Sequence, residues 1–580
     1  MPETFDLLIH GGTVVDGTGS PPFAADVGVR DGRVAAIGHA IGKGVEEIDA
    51  GGNIVTPGFV DVHTHYDGQI TWESRLSPSS DHGVTTVVMG NCGVGFAPVR
   101  PHQQHIMVKL MEGVEDIPEV VMLEGVPFNW ETFPSYLDAI EQRHADVDFA
   151  AQLPHSPLRV YVMGDRGANL EPPTDDDLAQ MRALTTEAIA AGAIGVSTSR
   201  NLVHRFKDGR LAPSVPTEEK ELMALAQGLK DAGDGVFQLL PNTANPGDEE
   251  FGLIRRLAKT SGRPVSFSMV IGEYGAHWRD YVAGVEQAVA DGLPIKGQFY
   301  PRPIGVLFGL DVSFHPFSLN PSYRPIADLP LPEKVAAMRD PDMRRRLLAE
   351  EPEDANPFFL TVVNRTSHLF PLGNPPNYNP PLDESIKARA EREGVSEREI
   401  IYDELLREDG RAVLYSPGAG TTINGRFELS VQLFGMPGMV LGLGDGGAHY
   451  GMICDASYPT YVLRRFVVEE ATRCLSIEQA ISMLSRETAE IVGLCDRGVI
   501  AVGYKADLNV INLDALRLHP PAVRRDLPAN GRRLGQTSEG YRATIVSGQV
   551  TYRNGVGTGA LPGRLVRGAR RAARSGKQTN

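Results

Sequence analysis

Eight short apolar segments, spaced through the middle of the chain and separated by helical patterns, constrain this sequence more than any other feature. They lie at residues 55–63, 85–89, 149–152, 194–197, 235–239, 264–268, 294–299 and 439–443. Thr174-Asp-Asp-Asp177 is a capping-box-like start to a helical stretch that runs to Gly192, a natural stop, just before the fourth segment. Residues 218–230 precede the fifth in the same way. Strands that alternate with helical crossovers build parallel βαβ units, and eight of them predict an α/β fold, a (β/α)8 TIM barrel. A doubly wound open sheet is the alternative, but it calls for a glycine-rich phosphate turn after the first strand, and none is present.

Both chain ends have a different texture. Residues 5–10 and 13–16 read as strands stopped by Gly11-Gly12 and Gly17, and Asp31-Gly32 is a hairpin signal between 26–30 and 33–37. Residues 506–513, 543–546 and 549–552 repeat the pattern near the other end, the last two around Ser547-Gly548. Neither end can bury a sheet alone. Together they predict one discontinuous small β-sandwich domain, residues 1–56 and 503–580, around a barrel at 57–502. About 135 residues separate the seventh and eighth segments, too many for a loop. With a Pro-rich run at 375–381 and helical patterns at 384–392 and 397–407, the span 303–435 reads as an inserted cap or lid; a peripheral subdomain is the alternative.

A net charge of −17 argues against a nucleic-acid-binding surface. The basic tail, from Arg564 to Lys577, reads as a solvated end. The start lacks a signal-peptide pattern, and glycines, Gln432 and Pro437 interrupt the longest apolar run, so no membrane is expected. Four scattered cysteines do not make a disulfide framework, which points to a cytoplasmic protein.

The chemistry concentrates in Pro57-Gly-Phe-Val-Asp-Val-His63-Thr-His65. Residues two apart on a strand face the same side, so both imidazoles can reach one metal ion at the end of the first strand, where such barrels build their sites. Asp445, before Gly446-Gly447, ends the eighth strand; a turn or capping role is the alternative reading.

These motifs resemble the amidohydrolase superfamily, and within it the D-aminoacylase (N-acyl-D-amino-acid deacylase) branch. The resemblance covers nearly the whole chain. It includes Asp81-His-Gly-Val-Thr-Thr-Val-Val-Met-Gly-Asn-Cys92-Gly, Gly192-Ala-Ile-Gly-Val-Ser-Thr198, Gly442-Leu-Gly-Asp445-Gly-Gly-Ala-His449 and Gly503-Tyr-Lys-Ala-Asp507-Leu-Asn-Val. It implies that Asp445 binds metal and carries the proton of the attacking water, and that Cys92 is a metal ligand. The pattern breaks at the fifth and sixth strands, where Leu240 and Met269 stand in place of the branch's histidines. A single divalent ion, Zn2+, at His63, His65 and Asp445 is therefore expected, with Cys92 either a further ligand or an idle, small buried apolar residue. The branch's basic substrate residues are also missing. His155, His204 and His449 are candidate auxiliary groups, and Arg200 and Arg302 candidate carboxylate binders; each has a structural alternative as a loop histidine or a scaffold ion pair. His10, His39 and His519 are given no role.

The function implied is hydrolysis of a C–N amide bond in a small molecule, an N-acyl-D-amino acid, by a homo-oligomeric enzyme without nucleic-acid or membrane partners. The alternatives are a cyclic amide, ester or lactone hydrolase on the same fold, or a degenerate non-catalytic binding barrel.

Overall fold

The computed structural model describes residues 3–272, 277–354, 356–366, 368–418 and 429–571. Seven of the eight expected segments form strands within two residues of their expected bounds: Val84–Met89, Asp148–Ala151, Gly195–Ser199, Val236–Leu240, Val265–Ser268, Ile295–Phe299 and Met439–Leu441. Each pairs in parallel with the next, except that the third breaks at Gln152. Asp148–Ala151 pairs with the second strand, while its continuation Leu153–Pro154 pairs with the fourth. Beyond the eighth strand, Thr64 bridges Gly446 in parallel and His65 N donates to Gly446 O at 2.7 Å, which returns the ladder to the first strand. Helices cross between strands. The clearest, Asp175–Ala191, opens on the Thr174–Asp177 capping box and ends at Gly192 with φ +114°.

The first segment behaves differently from its sequence pattern. It divides into Ile54–Pro57, which pairs with Leu508–Ile511 near the other chain end, and Phe59–Asp61, which opens the parallel ladder. Gly58 sits at the division, where a Cβ would lie 2.2 Å from Thr85 Oγ1. An unbroken apolar run does not reveal which of two sheets each half joins, since both halves are equally buried.

Strands from both chain ends share one nine-stranded hydrogen-bonded sheet. Glu3–Val14 is the cause. Sequence places a turn at Gly11-Gly12, but the strand continues through it as a bulge, with Gly11 at φ +73°. It thereby pairs along one edge with Gly42–Asp49 before the bulge and with Ile54–Pro57 after it, while Phe23–Arg30 runs along the other edge. A bent long strand keeps the two halves in one hydrogen-bonded surface.

The basic tail is also not simply solvated. Gly563, Leu565 and Arg570 bridge Ala145, Phe149 and Leu494. Arg567 pairs with Asp138 at 2.6 Å and Glu141 at 3.0 Å. Leu565 and Val566 are buried, an apolar pair between arginines that supplies the reason to dock. The rest of the tail from 572 lies outside the described residues.

Between the seventh and eighth parallel strands, Gly305–Phe308, Leu414–Pro417 and Phe370–Pro371 form a small antiparallel sheet. They pack with the helices Ile386–Glu393 and Glu397–Leu405 around an apolar cluster of their own. Among the described residues, no helix is long and apolar enough to cross a membrane.

Candidate metal centre

His63 and His65 lie just past the end of Phe59–Asp61. Their backbone is held extended on both sides: Thr64 N donates to Val88 O at 3.0 Å, and Asp445 N donates to His63 O at 3.1 Å. Two imidazoles of an extended segment thus emerge together, with ring centroids 5.5 Å apart. Cys92 follows the second strand, where Asn91 Nδ2 anchors the turn on Thr64 O and Val88 O. Asp445 arrives from the eighth strand.

These donor atoms converge. His63 Nε2 is 3.3 Å from Cys92 Sγ and 3.4 Å from Asp445 Oδ1, and His65 Nε2 is 3.5 Å from the same oxygen. The ligand atoms of His63, His65 and Cys92 all lie within 4.8 Å of one another. Zinc bonds of about 2.0–2.3 Å in a tetrahedron set ligand–ligand edges of about 3.3–3.8 Å. The donor set therefore fits a zinc-sized divalent ion in both spacing and chemistry.

Behind each imidazole stands an oxygen that sequence reading missed. Gln298, on the seventh strand, donates from Nε2 to Ser266 Oγ at 2.6 Å, which turns its Oε1 towards His63 Nδ1 at 3.2 Å. That contact puts the proton on Nδ1 and leaves Nε2 free to ligate. Glu115 Oε1 lies 3.4 Å from His65 Nδ1. A signal for Glu115 was available: it continues the buried stripe Met107, Leu110, Met111 and Val114 of helix Gln104–Glu115, where a carboxylate does not belong without a partner. Gln298 is likewise a polar residue in a buried strand.

Backbone strain gathers at the same place. Cys92, Leu443, Asp445 and His449 all have positive φ, between 48° and 64°. Non-glycine residues in this region cost about 1–3 kcal/mol each and cluster at functional sites.

Burial sets much of the electrostatics. It pushes His63 down to about 4, His449 to about 4 and His204 to about 3, so these imidazoles are neutral at pH 7. For His65 burial is outweighed by Glu115, Asp445 and Cys92, and the ring holds its proton well above the ordinary range. Asp445 is also buried, yet the hydrogen bond from His65 and the charges of His63 and His65 hold it below the usual carboxylate range. Burial raises the Cys92 thiol to about 12 and Glu115 to about 7. A divalent cation inverts this logic for a coordinating thiol.

The other sequence candidates separate. His449 faces the cluster, with Nε2 3.6 Å from Glu115 Oε2 and its Nδ1 buried without a hydrogen bond. His204 Nδ1 is also buried and unbonded, and His65, His449 and Asp445 all act on its charge. His155 is not brought to the cluster: Thr198 Oγ1 and Glu221 Oε1 occupy its two nitrogens, each at 2.8 Å. Arg200 makes contacts with both oxygens of Glu250, the shortest 3.0 Å. Arg302 is buried, pairs with Asp455 at 2.8 Å and stacks 3.6 Å from the centre of the Tyr378 ring. Leu240 and Met269 are buried and apolar at the ends of their strands.

A model of the amidohydrolase family matches residues 46–552. An uncharacterized protein of Mycobacterium tuberculosis is 29% identical over 97% of this chain and 96% of its own. The D-aminoacylase of Alcaligenes xylosoxydans xylosoxydans is 40% identical over 34% of this chain and 38% of its own. Among solved structures, the N-acyl-D-glutamate deacylase of Bordetella bronchiseptica, complexed with zinc and a phosphonate mimic of the tetrahedral intermediate, superimposes with a TM-score of 0.63. It is 22% identical and covers 97% of this chain and 100% of its own. The chain belongs to the amidohydrolase family.

Proposed function

We propose that this protein hydrolyses the amide bond of a small N-acylated amino acid, an N-acyl-D-amino acid, with one divalent ion held by His63, His65, Cys92 and Asp445. The observation that carries this reading is the convergence of Asp445 Oδ1 to within 3.5 Å of both imidazole Nε2 atoms. When bound, the ion supplies Lewis-acid polarisation of the carbonyl and lowers the pKa of its water towards about 7. Asp445, ionised and at the mouth, takes the proton of the attacking water and delivers it to the leaving nitrogen. His63 and His65 hold their ligating nitrogens in place through Gln298 and Glu115. The neutral rings of His449 and His204 can donate to a developing oxyanion.

Arg200 and Arg302 are the candidates for a substrate carboxylate, though each already faces a scaffold carboxylate and Arg302 is fully buried. Arg200 has both of Glu250's oxygens against its guanidinium, whereas Arg302 contacts Asp455 through one nitrogen. The reading extends to architecture. The eight parallel strands are taken as a closed (β/α)8 barrel spanning 57–502, with 303–435 as a cap and the two ends as a small β-domain. The bridge Thr64–Gly446 supports closure. Apolar Leu240 and Met269 favour one ion over two. Zinc is the ion proposed, and a homo-oligomer the assembly.

The test joins metal analysis to a substrate panel. Protein loaded with zinc should hold about one equivalent and release free D-amino acid from N-acyl-D-amino acids, with little turnover of cyclic imides, aryl esters or lactones. Turnover confined to the latter group would replace the substrate assignment. Zinc below about 0.2 equivalents would remove the metal mechanism.

A further inference from the structure

We propose that Glu115 is a positioning residue for the metal centre, with one carboxylate oxygen orienting His65 and the other holding His449 at the mouth. The proposal rests on the metal reading above, and its test separates the two.

Glu115 is 1% exposed, and among the described residues the basic side chains at its carboxylate are His65 and the neutral His449 rather than a lysine or arginine. A buried carboxylate is expensive to keep unless polar or charged neighbours compensate it. Its two oxygens face different rings: Oε1 lies 3.4 Å from His65 Nδ1, and Oε2 lies 3.6 Å from His449 Nε2. His65 Nδ1 is buried with no hydrogen-bond partner, and the acidic oxygen nearest it is Glu115 Oε1, in an ion-pair contact at 3.4 Å. The backbone reinforces the arrangement, since His449 N donates to Glu115 O.

The position of the carboxylate is itself fixed. Asp116 turns the chain at φ +52° immediately after the helix. Its side chain accepts from Ser313 Oγ at 2.8 Å and from Gly451 N at 3.1 Å. Ser313 N donates in turn to Gly451 O at 2.8 Å. The end of helix Gln104–Glu115 is thus tied to the segment after the seventh strand and to the loop after Asp445.

The two ligand histidines then differ in what backs them. A neutral amide oxygen, Gln298 Oε1, stands behind His63, and a carboxylate behind His65. A carboxylate behind a ligating imidazole fixes its tautomer and raises its basicity, and loss of such a partner weakens metal binding by about 10–100-fold.

The experiment measures zinc affinity of the full-length protein by competition with a chromogenic chelator, for wild type, Glu115→Ala and Glu115→Gln. Glu115→Ala should bind zinc about 10–100-fold more weakly. Glu115→Gln keeps an oxygen acceptor of the same size but no charge, so it should show a smaller loss that is still above about threefold. It decides the question alone if the alanine variant does not fold. In zinc-loaded protein, the 15N-histidine spectrum should place the His65 proton on Nδ1 in wild type and shift in Glu115→Gln, with the His63 signals unmoved. Variants that bind zinc within twofold of wild type, or an unshifted His65 signal, overturn the role of Glu115 and leave the metal centre intact. A wild type that takes up no zinc overturns the metal reading as well.

Discussion

Asp445 Oδ1 stands 3.4 Å from His63 Nε2, although the two residues come from the last and first strands of the parallel ladder. The contact exists because the backbone of one strand end hydrogen-bonds the other, Asp445 N to His63 O at 3.1 Å. The carboxylate is delivered by the ladder's return, which places a proton acceptor next to both imidazole Nε2 atoms.

If Asp445 carries the proton, Asp445→Asn should lower kcat on the amide substrate by about 10²–10⁴-fold, the usual range for lost general acid–base catalysis. Thermal unfolding should stay near wild type. Steady-state kinetics on zinc-loaded protein check this, and a loss smaller than tenfold would assign the proton to another group.

Cys92 separates ligand from packing residue. In cobalt-substituted protein, a coordinating thiolate gives a near-ultraviolet charge-transfer band, which Cys92→Ala should abolish while cobalt affinity falls at least about tenfold. An unchanged spectrum would make Cys92 a small buried apolar residue and nothing more.

Leu240 and Met269 should limit the site to one ion. Elemental analysis of the saturated wild type is expected to give about one zinc per chain. The double variant Leu240→His, Met269→His should take up a second; a wild type holding two would show that other residues have replaced the missing histidines.

His82 sits away from the centre, with Nδ1 2.8 Å from Thr460 Oγ1 and Nε2 3.0 Å from Gln536 O. Burial lowers its pKa from 6.5 to about 4. Between these values the unfolded chain binds a proton that the native protein refuses, so the stability contribution is complete above pH 6.5 and lost as pH falls towards 4. The total is about 3 kcal/mol. His82→Gln should flatten the pH dependence of urea unfolding across this window by up to about one proton, and an unchanged slope would contradict it.

Arg497 is buried and pairs with Asp148 at 2.7 Å and Asp496 at 2.9 Å, with Lys505 also on Asp148 at 2.9 Å. Removing one member of such a group strands the others. Arg497→Ala should cost about 3–5 kcal/mol in urea unfolding, with zinc affinity of the folded protein unaltered.

Local pattern was enough for much of this protein. The parallel strands, the Thr174–Asp177 cap, the Asp31-Gly32 hairpin, the His-x-His pair and Asp445 were all readable, because periodicity, capping and turn chemistry act within a few residues of the chain. Tertiary structure decided the rest. Gly58 divides one apolar run between two sheets where Thr85 leaves no room for a side chain, and the bulge at Gly11 keeps Glu3–Val14 one strand where a turn was expected. His155 and His449 looked equivalent as loop histidines, yet Glu221 and Thr198 occupy the first and Glu115 draws the second to the cluster. Glu115 and Gln298 act on rings far away in sequence, and such contacts leave no periodic trace. A side chain's role there depends on what the fold sets opposite it.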